Sequence, residues 1–188
     1  MERRKRDVHM ENRKGSGLII VHTGKGKGKT TAAMGMALRA AGHNLRALMI
    51  QFIKGSWHYG ELDAVKKLEP NFEIIPMGRG FIHVDGEGPG PADKKAVKEA
   101  WETFKKEMRA GQFDMIILDE INCVLSYNLL DLKEILEELE RKPEGMHIVL
   151  TGRDAPPGLL DAADLVTEMQ EIKHPFQKGI KAQKGIEF

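Results

Sequence analysis

The segment Thr23-Gly24-Lys25-Gly26-Lys27-Gly28-Lys29-Thr30-Thr31 constrains this chain more than any other. It follows the apolar run Leu18–Val21 and opens at once into a helical pattern over Lys29–Ala41. A strand must therefore turn through glycine into the first turn of a helix. Glycines let backbone N–H groups converge on phosphate oxygens without Cβ obstruction, and the helix start adds a positive dipole end. Gly28-Lys29-Thr30 closes the pattern G-x-x-x-x-G-K-[ST], whose lysine faces phosphates and whose hydroxyl ligates Mg²⁺. Thr23 stands where the first glycine is usual. Between a strand and a helix, the segment reads as a phosphate site rather than a flexible basic turn. Gly24, Lys25, Gly26, Lys27, Gly28, Lys29, Thr30 and Thr31 are the candidate ATP-binding residues.

The same alternation continues downstream. Ala47–Ile50, Phe72–Ile75, Met115–Leu118 and His147–Leu150 read as buried strands, and Glu61–Leu68, Asp93–Ala110 and Asp131–Arg141 as helices. Ala96, Val97, Ala100, Trp101, Phe104 and Met108 fall on one helical face, which makes Trp101 a core residue. Asp131 is placed to cap its helix, with Glu134 three residues on. Uninterrupted apolar strands alternating with helices predict an α/β fold, with a mostly parallel sheet covered on both faces. Residues 17–188 read as one such domain. Residues 1–16 carry six Lys or Arg against three acids without periodicity and read as a flexible arm. Pro76–Ala92 holds five glycines and three prolines, yet also Phe81 and His83; a loop of that length is functional or disordered.

A second constellation supports the first. Met115–Leu118 ends in Asp119 and Glu120, the form of a strand that presents carboxylates beside a phosphate-bound magnesium; either acid can meet the ion directly or through water. Arg153, after the strand His147–Leu150, lies on the edge where such sheets bind ligands, as a phosphate contact or a surface arginine. The single Cys123 excludes an internal disulfide, and the seven histidines show no zinc spacing. Lys plus Arg number 29 against 28 acids, which gives no basic field for nucleic acid. No apolar run reaches about 18 residues, so no membrane span is expected. The expected compartment is the cytoplasm.

Beyond the phosphate loop, Gln51–Gly55 (QFIKG) with Trp57 and Gly60-Glu61, Leu118–Asn122 (LDEIN), Thr151–Arg153 (TGR) and Lys173–Ile186 (KHPFQKGIKAQKGI) occur in order. Together with Thr23–Thr31 they resemble the ATP:corrinoid adenosyltransferases, from about Gly17 to the C-terminus. That family's phosphate loop has the same glycine–lysine alternation. The resemblance implies a RecA-like P-loop NTPase fold and transfer of the 5′-deoxyadenosyl group of ATP to the cobalt of a reduced corrinoid, with release of triphosphate, in adenosylcobalamin biosynthesis or salvage. It implies Mg²⁺ at Thr30, Asp119 and Glu120, and corrinoid contacts at Phe81, His83 and Trp57; Glu61 and Arg153 are further candidate site residues without an assigned ligand. It also implies a homodimer, with the N-terminal arm able to cover a neighbour's site, and a separate electron donor for cobalt. In the departure from family pattern, His83 stands where the second of two aromatic residues is usual.

The competing readings are a P-loop kinase or ATPase acting at the γ-phosphate, and a non-catalytic carrier of nucleotide and corrinoid. Triphosphate as product separates adenosyl transfer from the former, which yields ADP.

Overall fold

A computed structural model describes residues 15–55, 58–80 and 89–187. Trp57, Phe81, His83 and residues 1–14 of the expected arm lie outside the described residues.

The five expected strands form: β1 Ile19–Thr23, β2 Ala47–Gln51, β3 Phe72–Pro76, β4 Met115–Asp119 and β5 His147–Thr151. A sixth, β6 Leu165–Glu168, was not legible in the sequence. All pair in parallel in the order β3-β2-β4-β5-β1-β6. Parallel strands need crossovers, and six helices accompany them among the described residues: α1 Lys29–Gly42, α2 Gly60–Val65, α3 Pro91–Ala110, α4 Ile121–Ser126, α5 Leu132–Glu140 and α6 Pro157–Ala162.

Side chains alternate across each strand, so the sheet feeds two cores. Val21, Leu48, Ile50, Ile116, Leu118, Ile148 and Leu150 point to one side, against Trp101 and Phe104 of α3, Val124 of α4, Ile135 of α5 and Leu159 of α6. Ile20, Met49, Ile117 and Val149 point to the other, against Ala33, Ala37 and Ala40 of α1. Small alanines on that face let α1 lie close to the sheet. Trp101 is fully buried, as its helical spacing predicts, and its Nε1–H donates to Glu134 Oε1 at 2.6 Å. That bond takes Glu134 away from a capping box. Asp131 does cap α5, its Oδ1 accepting from the Lys133 amide at 2.9 Å.

The boundaries differ from the sequence reading in instructive ways. The helix expected over Glu61–Leu68 is α2, Gly60–Val65, and α3 begins at Pro91, a residue suited to a first helical turn. Strands β1 to β5 each run past their apolar stretch, ending on Thr23, Gln51, Pro76, Asp119 and Thr151. Because all strands are parallel, those ends share one edge of the sheet.

Candidate active site

Between β1 and α1 the glycine-rich loop is held by the segment that follows β6. The Gly26 amide donates to Met169 O at 2.7 Å, and the Met169 amide donates to Thr23 O at 2.9 Å. A Cβ on Gly24 would lie 2.4 Å from Met169 O, and one on Gly26 2.7 Å from the Gln170 carbonyl carbon. These glycines therefore serve a close backbone approach. The Lys29 side chain is buried and its Nζ donates to Gly24 O and Gly26 O, both at 2.7 Å. Burial lowers the Lys29 pKa, opposed by the Glu120 charge. Lys25, Lys27 and Thr31 are exposed around this centre. Lys27 also forms an ion pair with Glu187 at 3.0 Å.

Across the sheet edge, two hydroxyls meet one acid. Thr30 Oγ1 and Thr151 Oγ1 each donate to Asp119 Oδ1 at 2.8 Å. Thr151 Oγ1 in turn accepts from the Glu120 amide at 2.9 Å, and Gln51 Nε2 donates to Asp119 Oδ2 at 3.3 Å. Asp119 is thus completely buried and held by side chains from α1, β2 and β5. Thr30 and Asp119 are 89 residues apart in sequence and come together here.

Glu120 is arranged differently. It has φ 66° and heads α4, and its Oε2 accepts from Cys123 Sγ at 2.9 Å. A non-glycine residue in that region carries strain, of the kind that clusters at functional sites. Burial pushes the Cys123 thiol up to about 12, with the Glu120 charge adding to the effect. At neutral pH the thiol is protonated and not a nucleophile.

Glu61 pairs with Lys54 at 3.0 Å. Burial opposes the Lys54 charge, but Asp119 and Glu61 outweigh it and raise the pKa above the usual lysine value. Arg153 is exposed and lines, with Thr23, Gly24, Lys25 and Asp154, a cavity of about 660 Å³ beside the glycine-rich loop.

The sequence reading singled out Asp119 and Thr30, which the fold joins, but not Thr151, Gln51 or Asn122 as site residues. Each lies within a segment that carried the resemblance. Asn122 Nδ2 donates to Gly152 O at 3.0 Å and tethers α4 to the end of β5. Among the described residues no group of three or more His, Cys, Asp or Glu side chains is spaced to cage a metal. One hydroxyl and one carboxylate beside a phosphate loop instead suit a hydrated Mg²⁺ that takes its other ligands from water and phosphate.

With this geometry established, residues 15–188 match the family model described as "ATP:corrinoid adenosyltransferase BtuR/CobO/CobP". The chain belongs to the ATP:corrinoid adenosyltransferase family. Proteins named corrinoid adenosyltransferase in Sinorhizobium sp, Pseudomonas aeruginosa and Escherichia coli K12 are 44%, 37% and 37% identical to it. The alignments cover 92%, 100% and 92% of this chain, and 80%, 93% and 86% of those proteins. A KaiC-like protein from Pyrococcus horikoshii shares the fold of this adenosyltransferase-family chain, with a TM-score of 0.50 at 16% identity, over 84% of this chain and 75% of that one. No helix among the described residues is long and apolar enough to cross a membrane.

Proposed function

We propose that the protein is an ATP:corrinoid adenosyltransferase that moves the 5′-deoxyadenosyl group of ATP to the cobalt of a reduced corrinoid and releases triphosphate, in adenosylcobalamin biosynthesis or salvage. The match of residues 15–188 to the family carries this reading. The site's chemistry agrees with it. The Co(I) electron pair attacks the 5′ carbon, and the C–O bond to triphosphate breaks with its electrons. A Co(III)–carbon bond forms, and the charge ends on the leaving triphosphate. The nucleophile comes with the substrate, so the protonated Cys123 thiol has no covalent part to play.

The protein's task is then to align the 5′ carbon with cobalt and to stabilise the triphosphate. Lys29 exchanges the Gly24 and Gly26 carbonyls for phosphate oxygens. Amides of the loop from Gly24 to Thr31 line the phosphates, with Lys25, Lys27 and Arg153 as peripheral cations. Mg²⁺, when bound, would neutralise charge developing on the phosphates. Thr30 and Asp119 would hold it, with Glu120 beside them. The Lys54–Glu61 pair ties Lys54 to α2. We assign Phe81, His83 and Trp57 to the corrinoid by family resemblance, with a separate donor reducing cobalt.

The same resemblance supports a homodimer. Exposed Leu165, Val166, Ile172 and Phe176 supply apolar surface for it, and sedimentation velocity showing only monomer at assay concentration would refute that arrangement.

The test of the function is an anaerobic assay with ATP, Mg²⁺ and cob(I)alamin. The visible spectrum should change to that of the alkylated cobalt, with one triphosphate released per transfer. ADP as the nucleotide product, without cobalt alkylation, would establish γ-phosphate chemistry instead.

A further inference from the structure

Gln51 closes β2 one strand away from Asp119, with the two residues paired in register. It is 1% exposed, so its primary amide has left water entirely. Its Nε2 donates to Asp119 Oδ2 at 3.3 Å. The opposite orientation would put the amide oxygen against a carboxylate oxygen, so electrostatics fixes which end faces the acid. Its Oε1 is then a buried acceptor with no hydrogen-bond partner among the described residues. An acceptor left this way costs stability, and a leucine or methionine there would avoid the cost. Thr30 and Thr151 both donate to Asp119 Oδ1, so Gln51 serves Oδ2; support for the acid explains its N–H end but not the buried Oε1.

We infer that Gln51 is a positioning residue for the nucleotide-bound divalent cation: its N–H holds the Asp119 carboxylate while its Oε1 accepts from a water in the cation's coordination shell. This rests on the metal reading proposed above. Ions of the Mg²⁺ type keep several waters, each with two protons to donate, and an amide oxygen beside the liganding carboxylate is a suitable acceptor. Groups that orient metal ligands in this way are worth roughly 10- to 100-fold in metal affinity.

The test compares the full-length protein with Gln51→Met, which is similar in volume but lacks both polar ends. Calorimetry gives the ATP dissociation constant in EDTA and in saturating Mg²⁺; solution chelation of Mg²⁺ by ATP is common to both proteins. Expected is an EDTA value like wild type, a Mg²⁺-dependent gain in affinity reduced by roughly 10-fold or more, and a melting temperature close to wild type. The Mg²⁺ concentration for half-maximal turnover should rise. A Mg²⁺-dependent gain equal to wild type would overturn the inference. Equal losses of affinity with and without Mg²⁺ would also overturn it, by making Gln51 a purely structural support. Gln51→Leu repeats the measurement should Gln51→Met not fold; if neither folds, Gln51 holds the sheet and the inference is wrong. Wild-type protein with no Mg²⁺-dependent gain would instead remove the metal reading itself, and this inference with it.

Discussion

At the scale of single residues, the proposed chemistry concentrates on Lys29 and on the hydroxyls around Asp119. Lys29 is buried, yet its partners are two carbonyls that a phosphate can replace. Lys29→Ala should therefore keep the fold, as read by circular dichroism and thermal melting. Adenosyl transfer should fall by about 10²–10³-fold or more, the scale seen when one preorganised donor to a developing charge is removed. A folded Lys29→Ala protein with wild-type turnover would refute the phosphate assignment. Thr151 tests the other half. Its hydroxyl donates to Asp119 and accepts from the Glu120 amide. Thr151→Val keeps the shape but leaves the half-buried Glu120 N–H without its acceptor, at a cost of about 1 kcal/mol in stability. Denaturant unfolding should register that loss, and turnover should fall as Asp119 loses one of its donors. Unchanged values for both would show the relay to be incidental.

At the scale of elements, the loop between β1 and α1 depends on a strand that the sequence did not reveal. The segment after β6 pairs with the Gly26 amide and packs against Gly24 and Gly26. A methyl on Gly26 would press on the Gln170 and Met169 backbones, which cannot rotate away as a side chain would. Gly26→Ala should destabilise the protein by about 1–3 kcal/mol, as overpacking does, and weaken ATP binding. Calorimetric ATP affinity equal to wild type would mean that the strap does not set the loop's shape. β6 escaped the sequence reading for a physical reason. Leu-Val-Thr-Glu is short, lies at the sheet's edge and is exposed throughout, so no buried apolar run marks it. The six-residue helices α4 and α6 are too short to display a helical period.

At the scale of the whole molecule, two histidines tie stability to pH. Burial lowers the pKa of His22, whose ring nitrogens have no partner among the described residues. Burial lowers His147 as well, with Lys142 adding to the effect; its Nδ1 accepts from the Leu18 amide at 3.2 Å. Both rings are therefore favoured neutral in the fold. As pH falls below the ordinary histidine value of 6.5, the unfolded chain takes up protons that the folded one resists. The stabilising contribution is present above that value and is lost as pH falls through the lower, folded pKa. Denaturant midpoints should thus decline on the acid side, and His22→Leu should flatten the decline without loss of stability near neutral pH. An acid limb identical in His22→Leu would show that carboxylates alone produce it.

Sequence by itself determined the alternation of apolar strands with helices, the glycine-rich loop between β1 and α1 and the Asp119 strand end, because each is a local pattern of residue types. It placed Trp101 and the apolar face of α3 in the core for the same reason. It cut β1 through β5 short, however, at their last apolar residue. The structure carries four of those strands on to Thr23, Gln51, Asp119 and Thr151, polar side chains that are all buried. A hydrophobic criterion discards such residues, whereas burial beside complementary donors and acceptors retains them. Which hydroxyl meets which carboxylate, that Glu120 turns to Cys123 while Asp119 faces Thr30, and that a C-terminal backbone braces the glycine loop were decided only by tertiary structure. Those relations join residues far apart in sequence, as between the Thr23 carbonyl and the Met169 amide, through the order in which parallel strands are laid side by side. Strand order depends on the packing of the whole chain, and no local window of residue types contains it.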